Sequence, residues 1–254
     1  MDVVFALNGR DQILWYRALA AAMFAAPVAL AQGLGARASL LAVADVDGDG
    51  LKDLAVGDYF FDDGPAATRV VYHRRAGAGA GPEEPVSVTS SAFGAGDLTA
   101  ADLDGDGDAE VLFLPQTTGA VTAMENLGFA ERGGFGVAQE LEATFVSNER
   151  LVAGDLDGDG DQDFVTRSGT ESFRSAFFVI ENRGALGFGA PSMLADVSQG
   201  EVEPGDFDGD GDLDVALGAF SSQVTIYENV GALQFVAGPP VAFPGLSPRA
   251  LDAG

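Results

Sequence analysis

Four short acidic segments of the chain carry carboxylates at fixed spacing. Their sequences are DVDGDGLKD (45–53), DLDGDGDAE (102–110), DLDGDGDQD (155–163) and DFDGDGDLD (206–214). Numbered from the first Asp, each segment has a carboxylate at positions 1, 3, 5 and 9 and glycine at positions 4 and 6. Oxygen donors at alternate positions of a tightly turning loop suit a hard cation such as Ca²⁺. The spacing therefore predicts one calcium site in each loop, or about four Ca²⁺ in all.

The ligands follow from the loop positions. Positions 1, 3, 5 and 9 would bind through carboxylates, and position 7 through its backbone carbonyl, which is why Leu51 is tolerated there. An EF-hand needs Glu at position 12, which these loops lack, and Mg²⁺ uses one or two carboxylates and keeps several waters. Neither His nor Cys is in the loops, which disfavours zinc and copper. The alternative is four acidic β-turns without metal. The predicted ligands are Asp45, Asp47, Asp49, Leu51, Asp53, Asp102, Asp104, Asp106, Asp108, Glu110, Asp155, Asp157, Asp159, Asp161, Asp163, Asp206, Asp208, Asp210, Asp212 and Asp214.

Each acidic loop belongs to a longer repeat. The loops begin 57, 53 and 51 residues apart, and each precedes a short apolar run, a second β-like run and a Gly-aromatic motif such as GFGAP (187–191). Runs of this length without a helical period predict four strands per unit. MDVVFAL (1–7) matches LDVALGA (213–219), so the N-terminus also belongs to a unit. The predicted units are about 2–44, 45–101, 102–154, 155–205 and 206–254.

Tandem four-stranded units are typical of a β-propeller. We expect an all-β fold and a single domain, 1–254, with five four-stranded blades. The C-terminal RALDAG (249–254) would pair with DVVFAL (2–7) and complete the first blade. An open β-solenoid and an excised piece of a larger ring are the alternatives. The segment 17–32 has the features of a signal peptide, but the repeat makes it the middle of the first unit.

The composition limits the partners. The formal charge is −26, with 39 acidic and 13 basic residues, which argues against nucleic acid and anionic membranes because both require a cationic face. The 47% hydrophobic residues do not fit a disordered polyanion. Outside 17–32, no apolar run approaches the roughly 18 to 20 residues of a membrane span, so membrane insertion is not expected.

The DxDGDGxxD loops before β-strands, together with GFGAP, resemble FG-GAP repeats, also called VCBS repeats. Such repeats form the blades of integrin alpha-chain propellers and of many secreted proteins and some lectins. The resemblance covers essentially the whole chain, and it implies that Ca²⁺ binds between the first two strands of a blade. It also implies a secreted or cell-surface protein. Integrin propellers have seven blades, whereas this chain has five units. An excised fragment, a natural small ring and an engineered ring remain open, and Met1 directly before Asp2 suits an engineered boundary.

We therefore expect a non-catalytic, calcium-binding, extracellular scaffold that recognises a protein or a glycan. The chain would be a monomer if the ring closes, and otherwise a homo-oligomer completed between chains. One alternative is an engineered or excised propeller with no ligand beyond calcium. The variable segments expected to bind are 59–68, 115–119, 167–175 and 218–223, with Tyr59 or Phe220 as markers of a lectin-like pocket.

A hydrolase or lyase on a propeller is a further alternative. It would require carboxylates outside the acidic loops, such as Glu140, Glu142 or Glu171, to converge on the ring axis. The single histidine, His73, is near no nucleophile motif, and no G-x-S-x-G sequence is present. We therefore do not expect an enzyme.

Overall fold

The computed structural model shows an all-β fold in the residues that it describes, which confirms the all-β class predicted from the sequence. Its described residues form antiparallel sheets and contain no helix. The described part of the chain accordingly holds no helix that is long and apolar enough to cross a membrane. The structure describes residues 3–7, 12–16, 18–20, 23–32, 37–46, 48, 50, 52–59, 67–73, 86–93, 95–115, 120–128, 134–136, 139–140, 148–169, 175–184, 187–197, 200–219 and 222–243.

The chain divides into two compact units. The first comprises Met1–Ala100, Asp108–Thr117 and Ala123–Gln139. The second comprises Ala101–Gly107, Thr118–Thr122 and Glu140–Gly254. The boundary between the units passes through the acidic loop at 102–110.

The first sheet has three described strands in the order β1-β2-β5. In its register Phe5 lies opposite Leu14, and Leu14 lies opposite Ala29. The segment with signal-peptide features contributes β3, β4 and β5, so it is part of the folded sheet structure. The C-terminal segment 249–254, expected to complete this sheet, lies outside the described residues. The strands are β1 (Val3–Leu7), β2 (Gln12–Tyr16), β3 (Ala18–Ala20), β4 (Met23–Phe24) and β5 (Val28–Gln32).

The next two sheets are four-stranded, in the orders β6-β7-β8-β9 and β10-β11-β12-β13. A core cluster of the first unit joins Ala55 of the one to Phe113 and Met124 of the other, and the Phe113 side chain is fully buried. Burial of these side chains is the main force that holds the two sheets together. The strands are β6 (Arg37–Ala44), β7 (Asp53–Tyr59), β8 (Ala67–His73), β9 (Val86–Phe93), β10 (Ala95–Ala101), β11 (Glu110–Pro115), β12 (Thr122–Met124) and β13 (Gln139–Glu140).

The second unit contains the last two sheets. One has the order β14-β15-β16-β17, and the other has the order β18-β19-β20-β21 with β22 also paired to β20. Phe177 and Val165 of the first pack in one cluster with Val215 and Leu217 of the second. The strands are β14 (Asn148–Gly154), β15 (Asp163–Gly169), β16 (Ser175–Ile180), β17 (Ser192–Val197), β18 (Gly200–Gly205), β19 (Asp214–Ala219), β20 (Gln223–Asn229), β21 (Phe235–Ala237) and β22 (Val241–Ala242).

Each acidic loop joins the first two strands of a four- or five-stranded sheet. The loop at 155–163, for example, leaves β14 at Gly154 and enters β15 at Asp163, which lie opposite each other in the ladder. In β15 both Phe164 and Val165 are buried, so this strand has apolar neighbours on both faces. The loop therefore stands at the end of a rigid hairpin, and its ninth residue is held by the sheet.

Candidate metal centre

The loop at 155–163 turns through two glycines with left-handed backbone. Gly158 has φ of 78° and Gly160 has φ of 99°, a region that residues with a Cβ rarely adopt. The turn places both amide N–H groups on the carboxylate of Asp155. Its Oδ1 accepts from Gly158 N at 2.8 Å and its Oδ2 from Gly160 N at 3.2 Å. Position 1 is therefore fixed by the loop's own backbone.

The same turn recurs in the other three loops. Their glycines at positions 4 and 6 also have positive φ, between 69° and 102° across all four loops. The first Asp again accepts from these glycines: Asp206 from Gly209 N at 2.7 Å, and Asp45 from Gly50 N at 2.7 Å. Because the same residue types recur at the same offsets, each loop reaches this shape from its local sequence.

Position 9 is held differently, by contacts with the sheet. Asp163 is completely buried, and its Oδ2 accepts from Leu156 N at 2.9 Å while its Oδ1 accepts from Asn182 N at 2.7 Å. Burial raises the pKa of Asp163 to about 6, an effect that these hydrogen bonds reduce and the nearby charges of Asp157 and Asp159 increase. Burial is also the main cause that raises the pKa of Asp157. A cation among these carboxylates would offset both effects.

In the third acidic loop, three carboxylates converge closely enough to bind a single ion. One oxygen from each of Asp155, Asp157 and Asp163 lies within 4.8 Å of the other two. Ca²⁺ binds oxygen at 2.3–2.6 Å, so ligands on opposite sides of an ion are about 5 Å apart. The three oxygens fit around a single ion of this size. The fourth loop forms a group from Asp206, Asp208 and Asp210, which occupy positions 1, 3 and 5 instead of 1, 3 and 9.

Two of the residues in these loops that were predicted to bind through their carboxylates lie outside the convergent groups. Asp159, at position 5, accepts a hydrogen bond from Asp161 N at 2.9 Å. Asp214, at position 9, is buried and accepts from Phe207 N at 3.1 Å and Asn229 N at 2.8 Å. The carboxylates at positions 5 and 9 thus both accept backbone hydrogen bonds that stabilise the fold, whichever of them also binds an ion.

The residues at position 7 make contacts of their own. A Cβ built on Gly184 would lie 3.0 Å from Oδ2 of Asp161, so the Asp161 side chain lies against that glycine. In the fourth loop, Asp212 N donates to Oδ1 of Asp210 at 3.0 Å. The loop spacing predicts only a backbone carbonyl ligand at position 7, and the structure adds these contacts.

Of the remaining two loops, the one at 102–110 is divided between the two units and the one at 45–53 is described in part. Asp102 accepts from Gly105 N at 2.8 Å, and Asp104 from Asp106 N at 3.3 Å. In the first unit, Asp108 lies near Gly128 and the buried Glu110 accepts from Asn126 N at 3.2 Å. In the loop at 45–53, the Asp53 carboxylate accepts from Val46 N at 3.0 Å. Asp47, Asp49 and Leu51 lie outside the described residues.

Three buried asparagines, which the loop spacing does not predict, belong to this network. Asn126, Asn182 and Asn229 are each at most 2% exposed, and each backbone N–H bonds the position 9 carboxylate of its own sheet. Each Oδ1 accepts from the glycine two residues later at 3.1 Å. The signal in the sequence was a Glu-Asn pair before that glycine, in MENLG, IENRG and YENVG.

The sequence comparison agrees with this geometry. Residues 155–217 match a family model described as an FG-GAP-like repeat. Residues 155–217 are therefore similar to an FG-GAP-like repeat. This result confirms the resemblance that the acidic loops and the GFGAP motif indicated. The matched residues include the convergent carboxylate groups of the third and fourth loops and the strands β15–β18. No curated protein matches the chain.

An FG-GAP-like repeat also contributes most of a cavity in the second unit. The cavity has a volume of about 300 Å³ and combines carboxylates, a hydroxyl and apolar side chains. Ala232 and Leu233 border it with φ of 50° and 55°, an uncommon backbone conformation for residues other than glycine. The lining residues are Asp157, Val179, Glu181, Ala190, Ser192, Ala232 and Leu233.

The other predicted sites fall largely on residues that are not described. Residues 60–66, 116–119, 170–174 and 220–221 of the expected binding segments lie outside the described part, and so do Glu142 and Glu171. Tyr59 is the last residue of β7, and Glu140 is an exposed residue of β13. In the part of the chain that the structure describes, the groups of three convergent carboxylates all lie in the acidic loops.

Proposed function

We propose that this protein is a calcium-binding, non-catalytic β-propeller scaffold that acts outside the cell and recognises a protein or a glycan. The observation that carries the proposal is the convergence of Asp155, Asp157 and Asp163 within 4.8 Å, inside an FG-GAP-like repeat. This arrangement collects negative charge at one point of a rigid hairpin. A bound divalent cation would account for the arrangement, because it would offset the repulsion between the carboxylates.

Calcium is the ion that the donor set favours. The donors are carboxylate oxygens on a loop whose turn is formed by backbone, and several of them can bind at once. Mg²⁺ would keep several of its waters, and zinc or copper would favour His or Cys ligands. Four loops share the spacing, so we propose four Ca²⁺, one in each. Affinities of about 10⁻⁴ to 10⁻³ M, typical of extracellular modules, would match a location outside the cell.

The proposed architecture is a ring of five four-stranded blades. The sheets that begin with β6, β10, β14 and β18 each have a strand before the acidic loop paired with the strand after it. In the first sheet β1 corresponds to the strand after the loop, because it pairs with β2 as β15 pairs with β16. The other edge of β1 would accept RALDAG, and that strand would complete the first blade.

The cavity supports the recognition role. Asp157 and Glu181 offer hydrogen-bond acceptors, Ser192 offers a hydroxyl, and Leu233 offers an apolar surface. A glycan combines hydroxyl groups with apolar ring faces, so it matches both kinds of lining.

Native mass spectrometry in calcium tests the metal and the ring together. We expect a monomer with four Ca²⁺. Its charge-state distribution should broaden after chelation, because the carboxylates within each metal-free loop repel one another and loosen the fold. A protein with Asp155→Asn and Asp206→Asn should carry two ions fewer. A chain that binds no calcium would contradict the metal assignment, and a dimer would contradict closure within one chain.

Recognition needs a separate experiment. A glycan array probed with the calcium-loaded protein should give hits that Ser192→Ala weakens, because that side chain lines the cavity. Glu228→Ala, an exposed change outside the cavity, is the matched control. If no glycan and no extracellular protein binds, the remaining function is that of a calcium-stabilised scaffold without a further ligand.

A further inference from the structure

We propose that Asn126, Asn182 and Asn229 couple calcium binding between neighbouring acidic loops. The inference rests on the proposed function, since it concerns how the calcium loops act on one another. Each carboxamide spans two loops of successive sheets. Asn182 Nδ2 donates to Leu103 O at 2.7 Å and to Gln162 O at 3.2 Å, which are position 2 of the preceding loop and position 8 of its own loop.

The same link is present twice more. Asn229 Nδ2 donates to the carbonyl of Leu156, at position 2 of the preceding loop, and to that of Leu213, at position 8 of its own. Asn126 Nδ2 donates in the same way to Val46 and Ala109. Asparagine therefore makes the same pair of hydrogen bonds at three places in the chain. Incidental packing would not reproduce this pair each time.

The links join into a continuous chain of hydrogen bonds in the second unit. Asn229 N bonds the Asp214 carboxylate, and its side chain bonds the Leu156 carbonyl. Leu156 N bonds Oδ2 of Asp163, whose Oδ1 bonds Asn182 N. The side chain of Asn182 then reaches the preceding loop at Leu103. The path thus runs from the fourth acidic loop through the third to the second.

The asparagines have no freedom to move independently of the loops. Each is buried, and both Nδ2 hydrogens, the Oδ1 and the backbone N–H all have partners. A shift of the position 9 carboxylate would have to break one of these bonds in the interior, where an unsatisfied group is costly. A metal ion that fixes position 9 in one loop therefore also fixes position 2 of the preceding loop. By linkage, the effect is reciprocal between the two loops.

The register shows where the series of links ends. Asn182 comes two residues after Ile180, which lies opposite Phe164, the residue after position 9. Arg75 comes two residues after His73, which lies opposite Leu54. Ala18 comes two residues after Tyr16, which lies opposite Val3. Neither Arg75 nor Ala18 offers a carboxamide, so the links that we propose are those of Asn126, Asn182 and Asn229.

A double-mutant cycle read by NMR tests the coupling. In ¹⁵N-labelled full-length protein titrated with calcium, the amides of Gly160 and Gly211 report on the third and fourth loops separately. Asp208→Asn removes a carboxylate from the fourth loop. We expect it to raise the calcium Kd of the third loop, measured at Gly160, by about fivefold or more, within the usual range of coupling. In an Asn229→Ala background the same change should leave that Kd unaltered.

Two further variants keep the result interpretable. Asn229→Ser retains a short acceptor for Gly231 N but cannot reach the Leu156 carbonyl, so it should also abolish the coupling if Asn229→Ala fails to fold. Glu228→Ala, beside it and exposed, should preserve the coupling. If Asp208→Asn leaves the third-loop Kd unchanged, or still raises it without Asn229, the coupling is wrong while calcium binding stands. If no loop glycine responds to calcium, the proposed function fails as well.

Discussion

The backbone N–H of Asn182 donates a 2.7 Å hydrogen bond to Oδ1 of Asp163, 19 residues earlier in the chain. The other oxygen of the same carboxylate accepts from Leu156 N. Both oxygens thus support the fold while the carboxylate also faces Asp155 and Asp157. Position 9 of the loop is therefore a structural residue as well as a candidate ligand, whereas the exposed Asp159 at position 5 has one backbone partner at 2.9 Å.

The two positions should respond differently to the same substitution. In calcium-free protein, Asp163→Asn should lower the free energy of unfolding by about 1–3 kcal/mol. In the native protein the N–H groups of Leu156 and Asn182 each donate to one oxygen of Asp163. In the variant, the NH₂ of the new amide would face one of these buried N–H groups, which would lose its acceptor. Asp159→Asn should change it by less than about 0.5 kcal/mol, because the site is exposed. Urea unfolding monitored by circular dichroism measures both. Equal effects would contradict the structural role of position 9.

Removal of calcium should destabilise the protein. Each site contributes about 2.7 kcal/mol when free calcium is a hundredfold above its Kd, so the melting temperature should fall on chelation and return when calcium is added back. Magnesium at the same concentration is the control and should restore far less. Differential scanning calorimetry measures the effect. A melting temperature indifferent to chelation would count against metal-dependent folding.

The metal-free protein should gain stability from Asp163 as the pH falls. The pKa of Asp163 is raised to about 6 in the folded state, above its ordinary 3.8, so the folded state holds this proton more tightly than the unfolded state. This contribution is fully present below pH 3.8 and is lost as the pH rises through about 6. Urea unfolding in metal-free buffers between these values measures it, and Asp163→Asn should flatten the dependence. Stability that falls throughout this window on acidification, with no difference between the two proteins, would contradict it.

In the presence of calcium, the pH dependence should be the reverse of that of the metal-free protein. The ion requires the deprotonated carboxylate, so its affinity should fall as the pH drops below about 6. Isothermal titration calorimetry at several pH values would show proton release on binding in this range. Binding that is independent of pH there would mean that Asp163 is not a ligand.

The left-handed glycines should resist substitution. Gly160→Ala should cost about 1–2 kcal/mol of stability and weaken calcium binding at its loop, because Gly160 has φ of 99° and its amide N–H bonds Asp155. Gly136→Ala is the matched control, since its φ is not in the left-handed region and a Cβ there would meet atoms no closer than 3.6 Å. Thermal unfolding compares them. An equal loss of stability in the two variants would show that the left-handed backbone of Gly160 is not the cause.

Much of this molecule could be predicted because its signals are local. The turn of each loop depends on Asp at position 1 and Gly at positions 4 and 6, all within six residues, and the structure shows left-handed φ at those glycines. Short apolar runs between turns likewise predicted an all-β chain. The buried state of Asp163 was not predictable, because the residues that cover it come from the sheets around the loop.

The sequence by itself determined the acidic loops, their repetition and the β-strands that follow them, since each arises from residue types at short, regular spacing. Only the tertiary structure decided which loops are linked by hydrogen bonds. Asn126 and Asn229 reach carbonyl groups 80 and 73 residues earlier in the chain. Such contacts form only when successive sheets stack, because packing brings together polar groups that the sequence separates and burial then requires them to be paired.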